Sequence, residues 1–244
     1  VNRFGRTTMR EFREAMARMS GAESLILDLS SNGGGLLDQA VDMAGYFLPG
    51  QALVTYIEGR TVGPEVYRSN AGGEFSGNVV VIIDEASASG SEIVAGALQD
   101  WDRAVIVGDD SFGKGLVQRQ IPLGDGSAMR LTVARYHTPS GRVIQRPYEK
   151  GHKDEYYKAH IARLSGQESD STQSALPQYL TLRSRRTVHG GGGIQPDVRI
   201  KDDTTRVSNY MARMVAQGVY NDFLMEYMDL NREQLDRMYP TFAE

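Results

Sequence analysis

The sequence predicts an α/β layered core with a β-rich extension and C-terminal helices, and three observations lead there. The short apolar runs Leu25-Ile-Leu-Asp-Leu29, Val79-Val-Val-Ile-Ile83 and Ala104-Val-Ile-Val107 alternate with helix-length segments, as buried strands covered by helices do. After Lys114 the hydrophobic period falls to two over 116–123 and 128–137. From Asp203 onward, apolar stripes return at helical spacing.

Composition narrows the function classes. A chain of 244 residues holds one large or two modest domains with a real core, and 40% hydrophobic with 24% charged residues is ordinary for a globular protein. A net charge of −4 gives no electrostatic reason to expect nucleic acid or an anionic membrane as partner. No apolar run approaches membrane-spanning length. The absence of cysteine excludes disulfides, thiol nucleophiles and thiolate metal sites, and fits any compartment. The chain starts at Val1 rather than Met and carries no signal-like segment, so it reads as a fragment or mature core.

Taken in order, Thr8-Met-Arg-Glu11 is a capping-box signature, with Phe12, Met16 and Met19 following at helical spacing until Ser20-Gly21. After strand 25–29, the Gly33-Gly-Gly35 loop feeds a helix over about 36–47, ended by Pro49-Gly50. Segments 52–57 and 65–68 read as strands around the Gly59-Arg60 turn. Strand 79–83, helix 90–100 and strand 104–107 complete the repeated βα units. Gly124-Asp-Gly-Ser127 between two alternating segments is a strong hairpin signal, with Met129, Leu131 and Val133 on one face. From Arg146 to about Arg186 the chain turns polar, and Gly166–Ser174 suits a surface loop or mobile segment. Asp203-Thr-Thr205 caps a final helical pair, divided at Gly218. Tyr210, Met211, Met214 and Val215 form one stripe, and Phe223, Leu224, Tyr227 and Met228 the other.

The chemistry gathers between Asp84 and Gln118. Asp84-Glu-Ala-Ser-Ala-Ser-Gly-Ser-Glu92 carries a strand into a helix through small residues, which allow a sharp bend and the close approach of a ligand. Ser89 therefore sits at a helix N-terminus, where unpaired N–H groups favour developing negative charge. A serine needs a base to become a nucleophile, and no histidine lies nearby. Lys114, between Gly113 and Gly115, is the candidate, provided a water-poor site lowers its pKa. Gln118, four residues on, is placed to orient it, which is triad logic with lysine in place of histidine.

Each signal has a plainer reading. Ser89-Gly-Ser-Glu92 is itself a capping box, and a lone lysine is usually solvated. Gly108-Asp-Asp-Ser-Phe-Gly-Lys114 fits the opening of a phosphate-binding loop, but Gly115 brings no hydroxyl for magnesium. A strand-like segment with Pro122 follows, where that motif needs a helix. The glycine run 190–193 reads as a turn. His137, His152, His160 and His189 are scattered without metal spacing, and Asp100 reads either as a partnered carboxylate or as a solvated helix end.

Ser87-Ala-Ser-Gly-Ser-Glu-Ile93, Phe112-Gly-Lys-Gly-Leu-Val-Gln118, the spacing between them and Leu27-Asp-Leu-Ser-Ser-Asn-Gly-Gly-Gly35 together resemble the C-terminal processing (tail-specific) serine peptidases. The likeness is close from Val1 to about Gln145 and returns over Gly193-Ile-Gln-Pro-Asp-Val198. It implies Ser89 as nucleophile, Lys114 as general base, Gln118 as the orienting residue, and an oxyanion hole from the amides of Gly35 (or Gly34) and Gly90. It departs from the family pattern at Ser30 (usually arginine), Gly33 (commonly proline) and Gly90 (frequently alanine).

The same resemblance implies a crotonase-like core over 1–145, an insertion over 146–189, a return strand over 190–200 and a helical appendage over 201–244. It also implies a serine endopeptidase acting near protein C-termini in a bacterial periplasm or envelope, with no cofactor and with substrate tails as partners. A PDZ domain is expected before Val1, and a homo-oligomer is left open. The competing readings are a catalytically inactive peptide-binding module and, more weakly, a nucleotide hydrolase built on Lys114.

Overall fold

The computed structural model describes residues 1–70, 72–147, 176–200 and 209–238. The chain divides into two compact units, Val1–Lys201 and Asp202–Glu244. In the first, the strands are β1 (Ser24–Asp28), β2 (Leu53–Glu58), β3 (Glu65–Arg68), β4 (Asn78–Ile83), β5 (Val105–Gly108), β6 (Leu116–Pro122), β7 (Ala128–His137), β8 (Gln178–Leu180), β9 (Thr187–His189) and β10 (Val198–Arg199). Among the described residues its helices are α1 (Thr8–Arg18), α2 (Leu37–Phe47) and α3 (Gly90–Asp100).

Two four-stranded sheets organise this unit. One is parallel in the order β1-β4-β5-β10, and the other is antiparallel in the order β3-β2-β7-β6. Helix α3 packs against β4 and β5 of the first sheet and β2 of the second, and all eleven of its residues are buried. That position explains its small and apolar sequence, since a central helix has no solvated face to fill with charge. The core joins Leu27, Val81, Ile83 and Ile106 of the parallel sheet to Met43 and Phe47 of α2 and to Val94 and Leu98 of α3.

Strands β1, β4 and β5 carry apolar residues on both faces, and among the described residues α3 packs on one of them. Ile26, Val105, Val198 and Ile200 stand exposed on the other. The expected capping box at Thr8 is not made. Thr8 is the first helical residue, and its hydroxyl instead accepts the Gly5 N–H (2.9 Å) and donates to the Arg3 carbonyl (2.9 Å). The β6–β7 hairpin forms as the alternation predicts, but Ile121, Leu123, Met129 and Leu131 near its tip are exposed. Of the apolar face read there, Val133 alone packs against the core.

Of the expected insertion, 148–175 lies outside the described residues, and 176–189 contributes the small β8–β9 hairpin. The Asp203–Thr205 cap, His152 and His160 also lie outside them. The second unit holds α4 (Asn209–Ala216) and α5 (Val219–Met238), divided at Gly218 with φ +73°. Phe223, Tyr227 and Leu230 on α5 are exposed.

Candidate active site

Strand β4 delivers the chain into the turn 84–89, which Asp84 organises. Its carboxylate accepts the N–H groups of Ala86 (3.0 Å) and Ser87 (2.9 Å), then reaches the loop after β1 to accept the Ser31 N–H at 2.8 Å. The Ser87 hydroxyl accepts the Asp84 N–H (2.9 Å) and donates to the Leu29 carbonyl (2.8 Å), a second tie between turn and loop. Buried Asn32 adds a third, its carbonyl accepting the Ala88 N–H (3.0 Å) and the Ser91 hydroxyl (2.8 Å).

Ser89 emerges from this clamp with φ +56° and ψ −108°. A side-chain-bearing residue holds such a backbone conformation only at a cost of about 1–3 kcal/mol, met by the surrounding structure. The strain turns a half-buried hydroxyl out at the start of α3, where the Ser91 N–H donates to the Ala88 carbonyl (3.2 Å) and, among the described residues, no hydrogen bond engages the Gly90 N–H. Gly34 lies directly beneath, so close that a Cβ on it would stand 2.8 Å from the Ser89 Cβ and 2.7 Å from the Gly90 N. Gly90 in turn admits the Phe4 ring, which a Cβ at that position would meet at 3.0 Å.

The two expected oxyanion donors of the glycine loop are separated by their hydrogen bonds. The Gly34 N–H donates to Asn32 Oδ1 at 2.8 Å, so it is already used. Among the described residues, no hydrogen bond engages the N–H of exposed Gly35. Gly35 rather than Gly34 is therefore the available donor, beside Gly90 at the first position of α3.

Lys114 reaches this site through Glu92. The wholly buried Glu92 carboxylate accepts the Ser89 N–H (2.8 Å) and Lys114 N–H (2.9 Å) on Oε2, and the Ser111 hydroxyl (2.5 Å) and Gly113 N–H (2.6 Å) on Oε1. The backbones of Ser89 and Lys114 are therefore no more than two hydrogen-bond lengths apart. Burial pushes the Glu92 carboxyl above the usual range, against the opposing pull of these four donors. The return segment braces the same loop, with the Ser111 N–H donating to the Ile194 carbonyl (3.0 Å) and the Ile194 N–H to the Ser111 hydroxyl (2.7 Å).

The side chains are less closely joined than the backbones. Lys114 is exposed, and no hydrogen bond links its amine to the Ser89 hydroxyl or to any other described residue. The water-poor surroundings expected of a lysine base are not what this arrangement provides, because the loop's inward-facing backbone is occupied by Glu92 and the side chain is left outside. Gln118 stands at a register shift in β6, opposite Thr132, exposed and without a hydrogen bond to Lys114. Beside the loop a cleft of about 1060 Å³ opens, walled by Glu58, Arg60, Leu116, Arg135, Gln145 and Arg146 among others. It is lined by neither Ser89 nor Lys114.

At the far end of α3, Asp100 is fully buried and pairs with equally buried Arg142 at 2.5 Å, while its other oxygen accepts the Ser140 N–H at 2.8 Å. Of its two sequence readings, the partnered carboxylate is the one observed. His137 stacks on Tyr56 with ring centroids 4.6 Å apart. Sequence reasoning missed Asn32, Ser111 and Arg142, and saw Glu92 only as a cap. An acidic residue inside an otherwise small and apolar helix was the available signal for Glu92.

The model of peptidase family S41 matches residues 1–155. A carboxyl-terminal-processing protease of Synechocystis sp. is 37% identical over 148 residues, covering 60% of this chain and 34% of that protein. A carboxy-terminal-processing protease of Bartonella bacilliformis is 50% identical over 123 residues, covering 49% and 28%. This chain thus spans about a third of the length of these curated relatives. The solved photosystem II D1 C-terminal processing protease aligns with TM-score 0.60 and 27% identity over 82% of this chain and 41% of its own. With more than half of its 244 residues inside the family match, and with these relatives, the chain belongs to peptidase family S41, among the C-terminal processing peptidases.

Proposed function

We propose that this chain is the catalytic core of a serine endopeptidase that cuts protein substrates near their C-termini through an acyl-enzyme. The observation that carries the reading is Ser89 itself, held at φ +56° at the head of a buried helix and braced by Asp84, Asn32 and Glu92. Strain of this kind persists where the surroundings over-determine it, and active-site nucleophiles are such places.

In this reading the Ser89 hydroxyl attacks the scissile carbonyl while the Lys114 amine takes its proton and returns it to the leaving amine. The Gly35 and Gly90 N–H groups receive the oxyanion, each contributing about 3 kcal/mol to the transition state. Gln118 orients the lysine. Lys114 acts from a flexible four-carbon stem anchored within two hydrogen bonds of Ser89, so a rotation of that stem upon substrate binding brings amine to hydroxyl. Substrate covering the site also supplies the dry surroundings that the free chain lacks. The chemistry as written uses no metal or organic cofactor. By likeness to its family, the core is read as crotonase-like, preceded by a PDZ domain that delivers substrate tails, in a bacterial periplasm or envelope.

A second reading, a peptide-binding module without turnover, draws on the missing Ser89–Lys114 hydrogen bond. Turnover of a peptide bearing a free C-terminus decides between them, measured on the full-length protein and on Ser89→Ala and Lys114→Ala. Loss of turnover in both variants is expected. Turnover that survives Lys114→Ala sinks the lysine-base mechanism, and peptide affinity without turnover in the unmodified protein establishes the binding module.

A further inference from the structure

Glu92 touches both halves of the proposed site. One oxygen of its carboxylate accepts from the amides of Ser89 and Lys114, and the other accepts from Ser111 and Gly113. The side chain is fully buried, and among the described residues no cation pairs with it. A buried carboxylate without a counter-charge is costly, and capping a helix requires only one of these four bonds. The remaining three all go to the loop that carries Lys114.

We propose that Glu92 is a positioning residue for the Ser89–Lys114 chemistry, its carboxylate setting the spacing between the nucleophile turn and the lysine loop. The inference rests on the peptidase reading above. A carboxylate suits the task because both of its oxygens accept, and here all four partners donate. Glutamine keeps the shape but turns one oxygen into a donor. With the nitrogen toward Ser89 and Lys114, both amides lose their acceptor. With it toward Ser111, the hydroxyl adapts by accepting, but the Gly113 N–H faces another N–H. In either orientation one side of the bridge opens, and a shift of about 1 Å between reacting groups costs up to roughly a hundredfold in rate.

The test uses the full-length protein with Glu92→Gln, and with Ser89→Ala as control. Readings are taken well below each variant's melting midpoint, so that folded protein is compared with folded protein. Glu92→Gln is expected to lower kcat by roughly ten- to hundredfold. KM should stay within about twofold, because the residue sets the geometry of reacting groups and does not bind substrate. Ser89 labelling by a fluorophosphonate slows in parallel. Ser111→Ala, which removes one donor from Oε1 and touches neither reacting group, shows a smaller fall of the same kind. Wild-type kcat in folded Glu92→Gln, or a rise in KM alone, overturns the proposal. If Glu92→Gln does not fold, unchanged kcat in Ser111→Ala overturns it. Activity retained by Ser89→Ala instead overturns the peptidase reading, whatever Glu92→Gln shows.

Discussion

Gly34 offers a sharp test of how the glycine loop and the nucleophile turn are fitted together. A methyl group there would stand 2.6 Å from the Ala88 carbonyl oxygen, 2.7 Å from the Gly90 N and 2.8 Å from the Ser89 Cβ. None of these is the end of a flexible side chain, and all three belong to a turn already clamped by Asp84, Asn32 and Glu92. The residue also has φ +91°, a conformation that costs a side-chain-bearing residue about 1–2 kcal/mol. Overpacking adds about 1–3 kcal/mol, for a total of roughly 2–5 kcal/mol. At about 2–4 °C per kcal/mol for a chain of this size, Gly34→Ala lowers the melting midpoint by roughly 10 °C. It also displaces Ser89, so fluorophosphonate labelling falls at temperatures where the protein is still folded. The control is one residue away: Gly33 is exposed, and a Cβ on it meets nothing within 4 Å. Gly33→Ala should change stability by no more than about 0.5 kcal/mol. Thermal melts by circular dichroism and labelling rates of the two variants give the comparison. Gly34→Ala melting and labelling like Gly33→Ala would refute the packing described here.

Two further outcomes follow from the C-terminal end of α3. Asp100→Ala strands the buried Arg142 guanidinium and should cost about 3–5 kcal/mol by urea denaturation, whereas replacing both residues by Leu and Met recovers much of the loss. Burial pushes the Asp102 carboxyl up, but the Ser184 hydroxyl and amide, the Arg186 guanidinium and the Arg183 amide outweigh it and hold the group well below the usual range. A native pKa below the unfolded one means that this stabilisation is present above about pH 4 and is lost as pH falls through the native value. Asp102→Asn should therefore lower the melting midpoint at neutral pH and flatten its decline between about pH 5 and 2, and an unchanged slope counts against the assignment.

Local signals made much of the fold legible. The helix Gly90–Asp100 follows from a small-residue turn and a capping acid, and the β6–β7 hairpin from alternation around Gly124–Ser127. What stayed hidden depends on partners distant in sequence. Glu92 reads as a cap because Ser89 is three residues away, while Ser111, Gly113 and Lys114 come to it from the far side of strand β5. Asp100 looks like a helix end open to water until Arg142 is folded against it. The Gly33–Gly35 run reveals a tight loop, but not that Asn32 takes the Gly34 amide and leaves that of Gly35. Thr8 shows the converse error: its spacing to Glu11 fits a box, but Gly5 and Arg3 engage its hydroxyl first.

The proposed chemistry has Ser89 and Lys114 working on one carbonyl beside the Gly35 and Gly90 amides. It is tested most directly by a crystal structure of the full-length protein after reaction with a peptidyl fluorophosphonate. Phosphorus should be bonded to the Ser89 oxygen, with its phosphoryl oxygen between the Gly35 and Gly90 N–H groups and the Lys114 amine turned in to hydrogen-bond the Ser89 oxygen. An adduct on another residue, or an occupied Ser89 with Lys114 still facing solvent, would contradict it.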